Sequence, residues 1–251
     1  MRTLALALLC AVLATASAQS RGVEVGAEVT GLSGPYDDGR AVSAQLVLPR
    51  AGGWLRVSGA ASERFGERAL VYGVAGAQDL GSRWVVIGSA ASSTSGIAHP
   101  RLQASLGAGR KWGARRQVMT IGTLALQDVR DGHRDVVATG EAVVYGRDLI
   151  VQAGARATLS TPGDKLGLGG HASATVLGAG GRQVTLRLSA GREAYLVTGA
   201  QPLDVSFRSG EGSLTWLEPV GADWSVSAGV GLYANPYYTR VGVRTGLTRR
   251  F

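Results

Sequence analysis

His171 and Ser173, in the stretch GHASAT, form the most reactive spacing in this 251-residue chain. Residues i and i+2 of an extended strand share a face. The imidazole could therefore take the serine proton, provided a third polar group oriented the ring. No third member stands at an obvious place, and Thr175 continues the same polar face. Polar lining of a wet interior is thus the preferred reading of the pair. The other two histidines, His99 and His133, lie among Asp, Arg and Pro, where a solvated surface ring is the ordinary case. No metal or cofactor is called for. The stretches GDKLGLGG and GAGGRQ are glycine-rich but sit at turns, not at the strand-to-helix junction of a phosphate loop. Asp37 and Asp38 are ordinary turn formers.

A second set of residues could bind rather than react. Arg56, Arg156, Arg187, Arg240, Arg244 and Arg250 fall on the non-apolar face of their segments, with Gln45, Gln103 and Gln152 between them. Such a face could hold or pass an anionic or sugar-rich chain. It could equally be a charge network filling a narrow interior, and this second reading is slightly favoured.

The elements that must position these groups are strands. From Gly22 onward apolar residues recur every second position, as in Val23, Val25, Ala27 and Val29, or Trp224, Val226, Ala228, Val230 and Leu232. Segments of about ten residues with this alternation are the signature of a transmembrane β-barrel. Turn signals divide the chain into about fourteen strands, near 22–31, 40–49, 53–61, 68–78, 82–91, 101–111 and 116–127. The rest are near 135–145, 148–159, 167–177, 182–190, 204–216, 223–233 and 237–251. The fold class expected is all-β: one closed antiparallel barrel domain over 19–251, with twelve to sixteen strands. Glycine, at 38 residues, sits singly inside these alternations, where it relieves crowding in a closing sheet.

The first residues, MRTLALALLCAVLATASAQS, have the basic start, apolar run and small-residue exit of a signal peptide. Cleavage after Ala18 removes Cys10, the chain's one cysteine, and so excludes disulfides and thiolate metal sites. Losing Arg2 leaves 25 basic against 18 acidic residues, a net charge of +7. For an exported chain this points to outer-membrane lipid and lipopolysaccharide or an anionic glycan, not to nucleic acid.

The connections and aromatics sort by side. Longer connections, 92–100, 128–135 and 191–203, are expected outside, and short ones such as 50–53 and 178–181 in the periplasm. Trp54, Trp84, Trp112, Trp216 and Trp224 lie beside the periplasmic set, and Tyr195, Tyr233, Tyr237 and Tyr238 beside the outer set. Two aromatic belts follow, although Trp54 shares parity with Arg56 and could point inward. A soluble sandwich would alternate too, but has no reason to place every tryptophan at one set of turns. The last strand sends Val241, Val243, Leu247 and Phe251 to lipid, with Leu247 and Phe251 fitting a C-terminal sorting signal for the barrel-assembly machinery. Arg249 stands where that signal commonly has an aromatic. Closure pairs the last strand with the first, so Glu24 and Glu28 would meet Arg240 and Arg244 across the seam, unless all four are simply solvated.

The stretches RFGER (64–68), GAGRKW (107–112), GREAY (191–195), DVSFRSG (204–210) and NPYYTRVGVRTGL (235–247) resemble the YaiO family of outer-membrane β-barrel proteins, from about residue 60 onward. The resemblance implies a barrel in a Gram-negative-type outer membrane without an assigned catalytic activity. Related barrels can follow tetratricopeptide repeats in exopolysaccharide export ports. Here only a few residues separate the leader from the first strand, so no repeat domain is expected. The leading function is non-enzymatic: passage of envelope glycan, exopolysaccharide or small solutes. One alternative uses His171 and Ser173 as a lipid hydrolase, since a His-x-Ser pair on a barrel strand resembles the dyads of outer-membrane phospholipase and lipid A deacylase. The other alternative is a structural or adhesive barrel acting through the loops 92–100 and 191–203.

Overall fold

In the computed structural model the described residues are 21–34, 36–95, 99–129, 132–197 and 203–251; the expected leader lies outside them. They form fourteen strands: β1 (Gly22–Leu32), β2 (Gly39–Arg50), β3 (Gly53–Arg64), β4 (Glu67–Leu80), β5 (Trp84–Ser93), β6 (Leu102–Trp112) and β7 (Val118–Asp128). The second half continues with β8 (Arg134–Tyr145), β9 (Leu149–Thr161), β10 (Lys165–Leu177), β11 (Gln183–Val197), β12 (Leu203–Val220), β13 (Trp224–Ala234) and β14 (Thr239–Arg250). Each strand pairs antiparallel with its sequence neighbours, and β1 pairs β14 to close the barrel. Closure leaves no edge strand with unpaired backbone groups, which the hydrocarbon of a bilayer would not satisfy.

Strand ends lie within a few residues of those expected, with one large departure. The stretch GREAYLV is not loop: β11 runs on to Val197 and pairs with β12 from Leu203. Gly191 reads as a breaker in sequence, yet it lies in the ladder where β10 and β11 approach closely. A Cβ there would sit 2.9 Å from the Gly169 Cα. The even-numbered turns are tight, and at the β4–β5 turn Gly81 takes φ 67°, a left-handed conformation suited to glycine. The odd side holds the longer 33–38 and 94–101 connections, but also the tight turns at 65–66 and 162–164.

The outer surface carries the apolar half of each alternation, including Val25, Val29, Leu106, Leu124, Val230, Val241 and Val243, all exposed to the surroundings. Below it Trp84, Trp112, Trp216 and Trp224 face outward as a belt, with the Arg110 guanidinium 5.5 Å from the Trp84 ring and 4.0 Å from the Trp112 ring. Arg249 stacks 5.5 Å from Trp224, its partner in the β13–β14 register, which gives the non-aromatic residue in the terminal segment an aromatic contact.

Three of the aromatics expected in the belts point inward instead. Trp54, Tyr233 and Tyr238 are only 6%, 2% and 8% exposed. Phe251 is exposed at the end of the last strand, and Tyr237 is exposed in the β13–β14 connection with its ring 5.2 Å from that of Phe207. The side chain of Tyr195 lies outside the described residues. Proximity to a turn sets the height of a residue in the barrel; strand parity alone decides which side it faces.

An apolar layer lies inside the barrel near the even-numbered turns, where alternation had promised only polar lining. Val85, Ile87, Met119, Ile121, Val143 and Ile150 pack together from β5, β7, β8 and β9, with Ala77, Tyr145 and Leu177 against them. The signal is present in the sequence as doubled apolar residues, Val85-Val86-Ile87 and Leu149-Ile150-Val151, which are apolar on both faces.

Candidate functional site: an arginine wall inside the barrel

The interior has two unlike walls. Between their ends β4 to β7 present Val71, Gly73, Ala75, Ser89, Ser105 and Thr123 inward, with no charge. The charged inward residues in the body of the barrel stand on β8 to β14 and β1 to β3. Arg56, Arg156, Arg187, Arg240, Arg244 and Arg250 all take the inward parity. Arg64, beyond the end expected for the third strand, joins them and is buried.

One carboxylate is the hub of this wall. Glu211 on β12 lies in the field of Arg240, Arg187, Arg156 and Arg244, and its Oε1 is 3.9 Å from Arg240 Nη2. Glycines make room for the long side chains. A Cβ on Gly169 would meet Arg156 Nε at 3.2 Å, and one on Gly229 would meet Arg244 Nε at 2.8 Å. Arg244 thus leans across β13 and donates to Thr215 Oγ1 on β12.

That lean corrects the expected seam. Glu28 stands opposite Arg244 in the β1–β14 register, but among the described contacts no side-chain bond joins them. Glu24 accepts from Gln45 Nε2 at 2.6 Å, Arg244 turns to Thr215 and Arg240 turns to Glu211. Backbone pairing closes the barrel, and at its outer mouth the seam is tied by rings rather than charges. Tyr36, Phe65 and Tyr238 form an edge-on cluster at centroid distances of 5.4 to 6.2 Å, and Tyr233 lies 5.6 Å from Tyr238. The Tyr233 hydroxyl donates to Glu193 at 3.0 Å and accepts from Asn235 Nδ2 at 3.1 Å. Asn235 Oδ1 in turn accepts the backbone N–H groups of Tyr237 and Tyr238.

His171 finds a carboxylate that sequence spacing did not reveal. Its Nε2 lies 3.1 Å from Glu141 Oε1, both side chains being almost fully buried, and Gln152 Nε2 donates to Glu141 Oε2 at 3.0 Å. These residues and Ser173 face the interior, away from bilayer lipid. Among the described hydrogen bonds none joins His171 to Ser173.

His99 also departs from the solvated ring expected of a loop. Its Nε2 lies 2.9 Å from Ser62 Oγ, and burial, then the charge of Arg64, hold its pKa below the ordinary value. The described ends of the β5–β6 connection bend inward with it. Ser95 hydrogen-bonds Glu67, and Ser93 Oγ donates to the Pro100 carbonyl at 3.0 Å.

A family model described as the YaiO membrane beta barrel domain matches residues 20–196. The match starts earlier than the resemblance read from short motifs and stops before two of them, DVSFRSG and NPYYTRVGVRTGL. No curated protein sequence matches the chain. Among solved structures, a bacterial polysaccharide outer membrane secretin aligns at 12% identity and TM-score 0.53, over 92% of this chain and 98% of that one. The outer membrane protein Omp33 of Acinetobacter baumannii aligns at 12% identity and TM-score 0.56, over 92% and 99%. An anion-selective porin from Comamonas acidovorans aligns at 9% identity and TM-score 0.51, over 92% and 99%. At these identities the likeness is one of fold, and the fold is that of porin-like outer-membrane barrels.

Proposed function

The chain belongs to the YaiO outer-membrane β-barrel family, and we propose that it is a non-enzymatic conduit through which anionic solutes, or anionic stretches of an envelope glycan, move along the arginine wall. The observation that carries this is the division of the interior. Guanidiniums from β3, β9, β11 and β14 share the interior with strands β4 to β7, whose inward side chains carry no charge between the strand ends. An anion passing there exchanges one arginine for the next without meeting a facing carboxylate row. The descriptions of two matched barrels, a polysaccharide secretin and an anion-selective porin, agree with this cargo. The leader over 1–18 supplies export, and the terminal strand with Leu247 and Phe251 is the segment the barrel-assembly machinery would engage.

The test is planar-bilayer conductance of the refolded barrel, with and without a soluble polyuronate. Stepwise conductance with anion preference, reduced by the polyuronate, is expected. Arg187→Glu should lower the anion preference, and Glu211→Gln should raise it by releasing the arginines around it. A folded barrel that conducts no ions, or one whose selectivity ignores both changes, would overturn the proposal.

A further inference from the structure

On the loop side the outer face of the barrel carries a row of charge just above the apolar band. On β2, β3 and β4 the outward residues Arg40, Glu63 and Arg68 are consecutive partners in register. Glu63 Oε2 accepts from Arg40 Nε at 3.0 Å and Nη2 at 2.6 Å, and lies 3.6 Å from Arg68 Nε. A similar arrangement recurs around β7 and β8, with Arg101 just before β6. Asp128 lies 2.7 Å from Arg101 Nη2 and 3.7 Å from Arg134 Nε. A third position, on β11 and β12, sets Arg192 opposite Arg208 with no carboxylate between them.

Two guanidiniums per carboxylate leave most of the ten N–H donors free. The Arg40 and Arg68 side chains are 70% and 82% exposed. Two residues further down each strand stand lipid-facing Val42 and Leu70, about 7 Å below. The guanidiniums therefore sit where hydrocarbon gives way to headgroups. Arg40 and Glu63 line a groove of about 630 Å³ on the β14–β1–β2 surface together with Gly31, Asp38 and the exposed apolar Val29, Val241 and Val243.

We propose that this collar binds the phosphates of the outer-leaflet glycolipid, and that Arg40, at the edge of the valine groove, and Arg68, beside it across Glu63, form its principal subsite. Glu63 competes for the two guanidiniums but leaves their outer donors to a phosphate, and the groove takes an acyl chain below. Arginine suits the task because its planar fork meets phosphate oxygens two at a time. The inference is independent of what passes through the interior.

The test uses the folded full-length barrel in detergent, with bis-phosphorylated lipid A and chemically dephosphorylated lipid A as the probes. The wild type should retain the phosphorylated form preferentially in native mass spectrometry. Losing both guanidiniums in the double variant Arg40→Gln, Arg68→Gln should weaken that binding at least about tenfold, the factor carried by one charge-assisted hydrogen bond. Glu63→Gln should tighten it, because both arginines are then released to the phosphate. Heat-modified gel mobility checks folding, and if the double variant does not fold, Glu63→Gln alone decides. Arg110→Gln, in the opposite belt, should change nothing. Equal binding of the two lipids, or unchanged or weaker binding in Glu63→Gln, would overturn the assignment.

Discussion

Glu141 and His171 meet across a strand that contributes only a glycine between them. Gly154 on β9 is the register partner of both residues. A Cβ there would lie 2.7 Å from His171 Cε1 and 2.9 Å from Glu141 Cγ. The imidazole–carboxylate contact at 3.1 Å therefore depends on a missing side chain on the strand that separates them.

Gly154→Val should force the two groups apart and destabilise the barrel by about 1–3 kcal/mol, the usual cost of overpacking a filled interior. Gly140→Val, at an outward position with open space around it, should leave stability unchanged. Urea-unfolding midpoints of the refolded variants read both. Equal midpoints for the two would mean the Glu141–His171 contact can relocate at no cost.

Protonation of His99 should loosen the β5–β6 connection. Burial and the Arg64 charge keep the ring's pKa below its ordinary 6.5, so the neutral ring is the docked form. As pH falls below 6.5 the undocked state takes up protons first, and docking stability declines until the pH passes the lowered value of the docked ring. Faster amide exchange is expected at Thr94, whose N–H donates to the Leu70 carbonyl at 3.0 Å, between pH 7 and pH 5 once intrinsic exchange is corrected. His99→Gln should remove the pH dependence, and a pH-dependent rate surviving in that variant would assign it to another group.

Asn235→Ala removes both backbone caps and the amide that donates to Tyr233. Lost bonds of this kind cost about 0.5–1.5 kcal/mol each, so the variant should unfold from a heat-resistant form at a visibly lower temperature. Tyr233→Phe, which loses the hydroxyl bonds but keeps the ring contact with Tyr238, should lie between it and the wild type. A fall in Asn235→Ala no larger than in Tyr233→Phe would show that the backbone caps contribute nothing to the mouth.

The six interior arginines were legible in the sequence because each stands in an alternating run, and parity alone sends it inward. Fourteen strands were legible for the same reason. Tyr233 and Tyr238 were misplaced where height was taken for direction, whereas the parity Trp54 shares with Arg56 had already marked its inward turn, and Gly191 was misread because a glycine that permits close strand approach looks like one that ends a strand. Glu141 and Glu211 carry no local mark at all. Each is one polar residue on a polar face.

What the sequence determined by itself is therefore the side of the sheet on which each residue stands, since a period of two is a property of the extended backbone. Which residues meet was decided only by the register in which the strands pair. Register places Gly154 between Glu141 and His171 and stacks Arg40, Glu63 and Arg68 in one row. Those contacts join strands through pairings that a one-residue slip would reverse to the opposite face, and such pairings exist only once neighbouring strands have paired in register.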